Sequence, residues 1–266
     1  MAERGKKVHP STRLDVRLKG GRLVRVDQEV ANLSSWLQKQ VEDARVQGVI
    51  FGLSGGLDSA VVAGLAVQAL GAKALGLILP CESAPEDRED ALLVAKNFSL
   101  PVREYDLTPV FQQFPTVMGD FVPSRLAQAN LKARLRMNTL YLVANHFNLL
   151  VVGTSNLSEI TVGYFTKWGD SACDLWLLAN YSKGQVRQLA QALQVPERIL
   201  NKVPTAGLWP GQTDESELGV SYQEIEAYLN GEPLLPQVKR RIRELAAKNE
   251  HKRRFPPSPG QGASSK

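Results

Sequence analysis

The stretch Phe51-Gly52-Leu53-Ser54-Gly55-Gly56-Leu57-Asp58-Ser59 carries the densest chemistry in this 266-residue chain. It follows an apolar run and opens a helical pattern, so it reads as a strand-to-helix loop. Paired glycines let backbone N–H groups approach an anion and adopt positive φ. The start of the next helix adds orphan donors and the positive end of a dipole, which together suit a phosphate. Ser54 and Ser59 bring hydroxyl donors. The loop lacks the Gly-Lys-Ser/Thr of a Walker A grip on a γ-phosphate, and it lacks the G-x-G-x-x-G spacing of dinucleotide folds. Asp58 beside phosphates is repelled unless a divalent cation bridges the two, which argues for Mg²⁺ held by carboxylate and phosphate oxygens. A plain tight turn capped by Asp58 is the competing explanation. The order of strand, loop and helix weighs against it.

The elements that must position this loop follow from apolar patterning. Runs at 49–53, 74–79, 102–107 and 149–153 read as strands, separated by helical patterns at 58–70, 85–98 and 123–146. Strands this apolar, alternating with helices, predict an α/β fold: a doubly wound parallel sheet with helices on both faces. Ligands then bind outside the carboxyl ends of the strands. A further helix over 28–45 carries Val30, Leu33, Leu37 and Val41 as one stripe, suited to the core or to a partner helix. Ser182 opens another helix, and Ser221 with Glu224 forms a capping box for a later one. Between them, residues 204–219 show no apolar periodicity beyond Leu208 and Trp209. That segment and the 80–85 turn read as mobile lids.

Composition bounds the answer. Apolar residues make up 43% of the chain, and no run approaches the ~18 residues of a membrane span. Cys81 and Cys173 give neither a disulfide framework nor a zinc spacing, and Cys81 reads as packing. A soluble cytoplasmic protein is expected. The net charge of +5 is mild and sits largely in a basic extension (1–24) and in basic runs near the other end. Without interleaved aromatics these runs read as solvated, and no nucleic-acid partner is expected. Residues 25–255 form the expected domain, and 256–266 a flexible tail.

At the loop, the chain resembles the ATP pyrophosphatase superfamily, whose loop holds the departing pyrophosphate while AMP passes to a substrate. Within it, residues 25–259 resemble the ammonia-dependent NAD synthetases. The resemblance rests on Gly153-Thr154-Ser155-Asn156-Leu157-Ser158-Glu159, then Gly163-Tyr164-Phe165-Thr166-Lys167-Trp168-Gly169-Asp170. Asn130-Leu131-Lys132-Ala133-Arg134-Leu135-Arg136-Met137, Lys202-Val203-Pro204-Thr205-Ala206 and Glu250-His251-Lys252-Arg253-Arg254 add to it. Each piece is weak alone, and their order is specific.

The resemblance implies roles. Residues 52–59 surround the ATP phosphates, with Thr154, Lys183 and Thr205 also on ATP. Asp58 and Glu159 hold Mg²⁺. Arg134, Lys167, Asp174, His251 and Lys252 bind deamido-NAD, and the tail folds back over the site. By residue type alone, Lys132, Arg134 and Arg136 would read as a solvated helix face, and Glu159, Lys167 and Lys183 as ordinary surface charges. Relatives usually carry a proline shortly after Asp174, where this chain reads Leu175-Trp176-Leu177-Leu178, so the backbone there is expected to differ.

The implied reaction is amidation of deamido-NAD by free ammonia through an acyl adenylate, giving NAD, AMP and pyrophosphate. Asp58, Asp174 and Lys183 are the expected catalytic residues, with Asp174 taking a proton from ammonium. The chain offers no glutaminase domain, and a homodimer is implied. Two alternatives stand beside this: another ATP pyrophosphatase (GMP-forming or tRNA-modifying), and a silent nucleotide-binding module.

Overall fold

The computed structural model describes residues 15–17, 23–205, 207 and 211–259. The rest of the expected basic extension, residues 260–266 of the expected tail, and Ala206, Leu208, Trp209 and Pro210 of the 204–219 segment lie outside the described residues. Strands β1 (Asp15–Arg17) and β2 (Leu23–Arg25) pair antiparallel, with Asp15 opposite Arg25. They lead into α1 (Val26–Ala44). Its stripe is buried in the main core, Leu37 completely. At about 1.5–3 kcal/mol per buried aliphatic side chain, that face belongs to this chain's own interior. It is not left for a partner helix.

Strands and helices then alternate: β3 (Gly48–Gly52), α2 (Leu57–Leu70), β4 (Ala74–Ile78), α3 (Pro85–Phe98) and β5 (Val102–Glu104). After α4 (Thr108–Met118) and α5 (Arg125–Phe147) come β6 (Leu149–Gly153), α6 (Leu157–Val162) and β7 (Leu175–Trp176). All five strands are parallel, in the order β5-β4-β3-β6-β7. Period-two alternation sends Val49 and Phe51 into one core and Ile50 into the other. Helices cover both faces, as the doubly wound pattern requires.

The differences have physical reasons. β5 stops at Glu104, because the chain leaves the sheet there and the Leu107 N–H turns to the carbonyl of Pro80. β7 is two residues long, too short for any alternation to show. Its ladder pairs Leu175 with Val152 and Trp176 with Gly153, in the stretch just after Asp174. The remaining helices are α7 (Lys183–Ala192), α8 (Glu197–Leu200), α9 (Asp214–Leu218), α10 (Tyr222–Leu229) and α11 (Pro236–Lys248). α9 corrects the reading of 204–219 as a segment with no apolar pattern beyond Leu208 and Trp209: Leu218 is in a third core with Val162, Val220, Ile225 and Ile242, and Gln212 and Asp214 are buried. No described helix is long and apolar enough to cross a membrane.

One consequence of the strand order positions everything below. From β3 the chain winds outward to β4 and β5, then returns through α5 to β6 on the other side. Loops after β3 and β6 therefore diverge at the carboxyl edge, opening a crevice between them.

Candidate active site

The loop after β3 is shaped from within. Gly55 has φ +76, and a Cβ there would stand 2.5 Å from the carbonyl oxygen of Asp87. Only glycine meets both conditions. The Ser54 N–H and hydroxyl lie 3.3 and 3.1 Å from Ser59 Oγ, while the Ser59 hydroxyl donates to the Gly56 carbonyl at 3.0 Å. The two serines expected as phosphate donors thus first hold the loop's form. No side chain caps α2, so its first-turn N–H groups keep the donors and partial charge that an anion would use.

Glu159 and Lys183 arrive from the other lip of the crevice. Asn156 caps α6 and forms a reciprocal box with Glu159, and its Nδ2 also donates to Asp58 Oδ1 at 3.3 Å. Ser182 caps α7 in a second box with Gln185, and the Lys183 N–H donates to Ser158 Oγ at 3.2 Å. The side chain of Lys183 then reaches between two carboxylates, with Nζ 2.5 Å from Asp58 Oδ2 and 3.4 Å from Glu159 Oε1. Burial pushes the Glu159 carboxyl up to about 8, opposed by Lys183 and reinforced by Asp58. Lys183 is itself desolvated, yet the two carboxylates outweigh that and hold its pKa above the ordinary value.

Tyr222 and Asp214 complete this cluster, and neither was singled out by sequence. The Tyr222 hydroxyl is 2.8 Å from Asp214 Oδ2 and 3.3 Å from Glu159 Oε1, and its ring centroid is 5.0 Å from Lys183 Nζ. Asp214 Oδ1 is buried without a partner among the described residues. The available signal was slight: a tyrosine beside the Ser221 cap, and one acid among the three of residues 204–219.

A cavity of about 420 Å³ opens between these groups. The loop residues Gly52, Leu53, Ser54, Gly56, Leu57, Asp58 and Ser59 line it, with Thr154, Glu159, Lys183 and Thr205. Gly55 instead faces α3, its carbonyl 3.4 Å from Lys202 Nζ.

The residues expected on the acceptor side are arranged differently. Lys252 lines the cavity, its Nζ 2.8 Å from the carbonyls of both Gly163 and Phe165. Arg134 donates to the Lys167 carbonyl at 3.2 Å, and Lys167 Nζ to the His251 carbonyl at 2.7 Å. Asp174 accepts from the Val151 N–H at 2.7 Å and from the Tyr141 hydroxyl at 3.2 Å. Arg134, Lys167, Asp174 and His251 are thus outside the lining. The expected fold-back of the tail is present, since Asn249, Lys252 and Arg253 bind carbonyls between Ile160 and Phe165. The reading of Lys132, Arg134 and Arg136 as a solvated face does not hold: Lys132 is buried against Glu82 at 2.8 Å, and Arg136 lines the cavity.

Residues 29–256 match the sequence model of the family described as NAD synthase. The chain belongs to the NAD synthase family. An NH(3)-dependent NAD(+) synthetase of Carboxydothermus hydrogenoformans is 43% identical over 240 residues, 88% of this chain and 97% of that one. Among solved structures, NMN synthetase from Francisella tularensis superposes with a TM-score of 0.85 at 38% identity, covering 88% of this chain and 98% of that one. NH3-dependent NAD synthetase from Campylobacter jejuni gives 0.75 at 27% identity, with 88% and 99% covered. Family membership and the convergence of Asp58, Glu159 and Lys183 on one crevice are independent observations. The first comes from the whole chain and the second from three side chains.

Proposed function

We propose that this chain is a cytoplasmic, ammonia-dependent NAD synthetase, with residues 25–255 as its catalytic unit. The observation that carries the reading is the meeting of Asp58, Glu159 and Lys183 at the uncapped start of α2. A carboxylate is a poor electrophile. Attack by the nicotinate carboxylate on the α-phosphorus of ATP releases pyrophosphate and leaves an acyl adenylate, from which ammonia displaces AMP. The α2 N–H groups and the Lys183 ammonium face the charge that grows on pyrophosphate. Thr154 and Thr205 add hydroxyls along the same wall.

Asp58 and Glu159 suit Mg²⁺: they converge on a point that Lys183 fills with positive charge, and no third ligand forms a metal cluster with them among the described residues. Two carboxylates completed by phosphate oxygens is the habit of that ion. When bound, it neutralises charge on the polyphosphate. Arg134, Lys167, His251 and Lys252 are assigned to deamido-NAD, supported by the contacts that gather them along 163–167. Asp174 is the acceptor for the proton of ammonium, its carboxylate oriented by Val151 and Tyr141.

A homodimer belongs to the same reading. The α1 stripe cannot supply it, but Val117, Phe121, Val122 and Leu126 are exposed at 80, 55, 88 and 59%, an apolar surface between α4 and α5 that a second copy would cover. Sedimentation at micromolar concentration is the check.

The deciding experiment incubates the protein with ATP, Mg²⁺, ammonium and deamido-NAD. NAD, AMP and pyrophosphate in equal amounts are expected, and ADP with orthophosphate would overturn the reaction class. A second reading, favoured by the likeness to NMN synthetase, takes nicotinate mononucleotide as the acceptor. Both acceptors in parallel separate the two, through the ratio of their kcat/KM values.

A further inference from the structure

Arg136 is a positive charge in the crevice with no ion-pair partner among the described residues. It belongs to α5, the crossover helix, and its side chain is half-buried. Nε donates to the Leu79 carbonyl at 3.0 Å and Nη2 to Ser83 Oγ at 3.0 Å. Both partners are neutral, and among the described residues Arg136 forms no ion pair. Burial pulls the guanidinium's pKa below its ordinary value, with Asp170 and Asp87 opposing this only through space. Lys132, on the same helix, is paired with Glu82, and Lys202 with Asp87 and Asp90. Desolvating a cation without a counter-charge costs stability. The cost is recovered if a ligand brings the anion.

The helix geometry says which anion. α5 runs back along the sheet to deliver β6, so its N-terminal end stands at the carboxyl edge. Leu140 of α5 lies over Gly52, the last residue of β3, with its Cδ1 3.8 Å from where a Cβ would be. Arg136 is one turn earlier, about 6 Å further along the axis and beyond that edge. This puts it over the loop after β3, on the side toward β4, whose end it grips at Leu79. Two anchored N–H groups fix the plane of the fork, leaving its other donors toward the cavity it lines.

We propose that Arg136 is a specificity residue that binds the α-phosphate of the adenine nucleotide, the group carried from ATP through the adenylate to AMP. Resting on the nucleotide reading above, it names the receptor for the phosphate that stays with adenosine. Asp58, Glu159 and Lys183 then face the part that leaves. A planar guanidinium suits this task, because it can hold the two non-bridging oxygens of one phosphate while the phosphorus stays open to in-line attack opposite the departing pyrophosphate.

The test compares two ligands that differ only in that phosphate. Calorimetric titration of the full chain with AMP and with adenosine should show the wild type preferring AMP. In Arg136→Met, which keeps the length and packing of the side chain, AMP binding should fall at least tenfold with adenosine unchanged. Ser83→Ala, which removes a neutral partner and leaves the charge, should keep the preference. An equal fall for both ligands in Arg136→Met, or no fall, would overturn the assignment by reducing Arg136 to a prop for the β4 end. Should the Met variant fail to fold, Arg136→Lys decides by the same pair of titrations: a loss confined to AMP supports the assignment, and any other pattern overturns it. A wild type that binds neither ligand would remove the nucleotide reading, and this assignment with it.

Discussion

Helices α2 and α7 both begin at the crevice, and they begin in opposite ways. α2 starts at Gly56 with no capping side chain, so its terminal N–H groups face the cavity unclaimed. α7 starts at Ser182 with a full capping box, its first N–H taken by Ser158. One helix offers its backbone as a cationic surface. The other has its backbone satisfied and delivers a single ammonium, Lys183, to a fixed place. Orphan donors at a helix start are normally quenched; leaving one set open while closing the other separates binding from positioning within a single site.

The largest expected effect breaks the meeting point of the two helices. Asp58→Asn should keep the fold, because the side chain sits at a helix start, yet lower AMP formation at least about 100-fold. Unchanged circular dichroism with near-wild-type turnover would show that the carboxylate is dispensable.

Capping the open helix is the next test. At Gly56 φ is −89 and a Cβ would meet only Ser54 Oγ at 3.3 Å, so a side chain is sterically feasible. Gly56→Asp should hold or raise stability by about 0.5–1 kcal/mol through its interaction with the helix dipole. The KM for ATP should rise about tenfold, the equivalent of 1.4 kcal/mol. Higher stability with unaltered KM would mean that the α2 N–H groups do not bind the nucleotide.

Uncapping the closed helix is the reciprocal. Ser182→Ala should cost about 1 kcal/mol in chemical denaturation. It should also lower kcat more than it raises the KM for ATP, because Lys183 loses its fixed origin. A loss of stability with kcat intact would make the cap purely structural.

The smallest effect is a control away from both helices. Lys132 holds the Glu82 carboxyl below its ordinary value of 4.5 through their hydrogen bond. Its contribution is therefore present above pH 4.5 and lost as pH falls through the lowered folded value. Glu82→Gln should cost about 0.5 kcal/mol at pH 7, since the pair is partly exposed and screened. The difference from wild type should vanish in acid. A cost that stays the same however far the pH is lowered through the carboxylate range would rule out the ion pair as its source.

These helix starts also mark where the sequence was readable. The glycines, Asp58 and the apolar run before them are contiguous, so strand, loop and α2 could be recognised together. Ser182 stood at the head of an apolar helical pattern, and Ser221 announced its helix through a capping box with Glu224. Tyr222, Asp214 and Arg136 could not be found this way. Their roles depend on contacts between segments far apart in the chain, and a tyrosine, an aspartate or a helical arginine looks like surface until its neighbours are known. The α1 stripe shows the same limit from the other side, because periodicity marks a face that must be covered without saying what covers it. Of the acceptor-side residues, Lys252 lines the cavity. Arg134, Lys167, Asp174 and His251 came from resemblance, and within one chain they stand outside the lining.

The fold-back of residues 249–253 onto 160–165 has a consequence for how the protein is made. Lys252 enters the cavity about two hundred residues after Asp58. At the ~5–20 residues per second of translation, the phosphate loop waits about 10–40 s for the last wall of its own site. Throughout that interval the nascent chain can gather its parallel strands around a crevice open on one side. Closure comes only when the end of α11 has left the ribosome and the tail locks onto the carbonyls of Gly163 and Phe165.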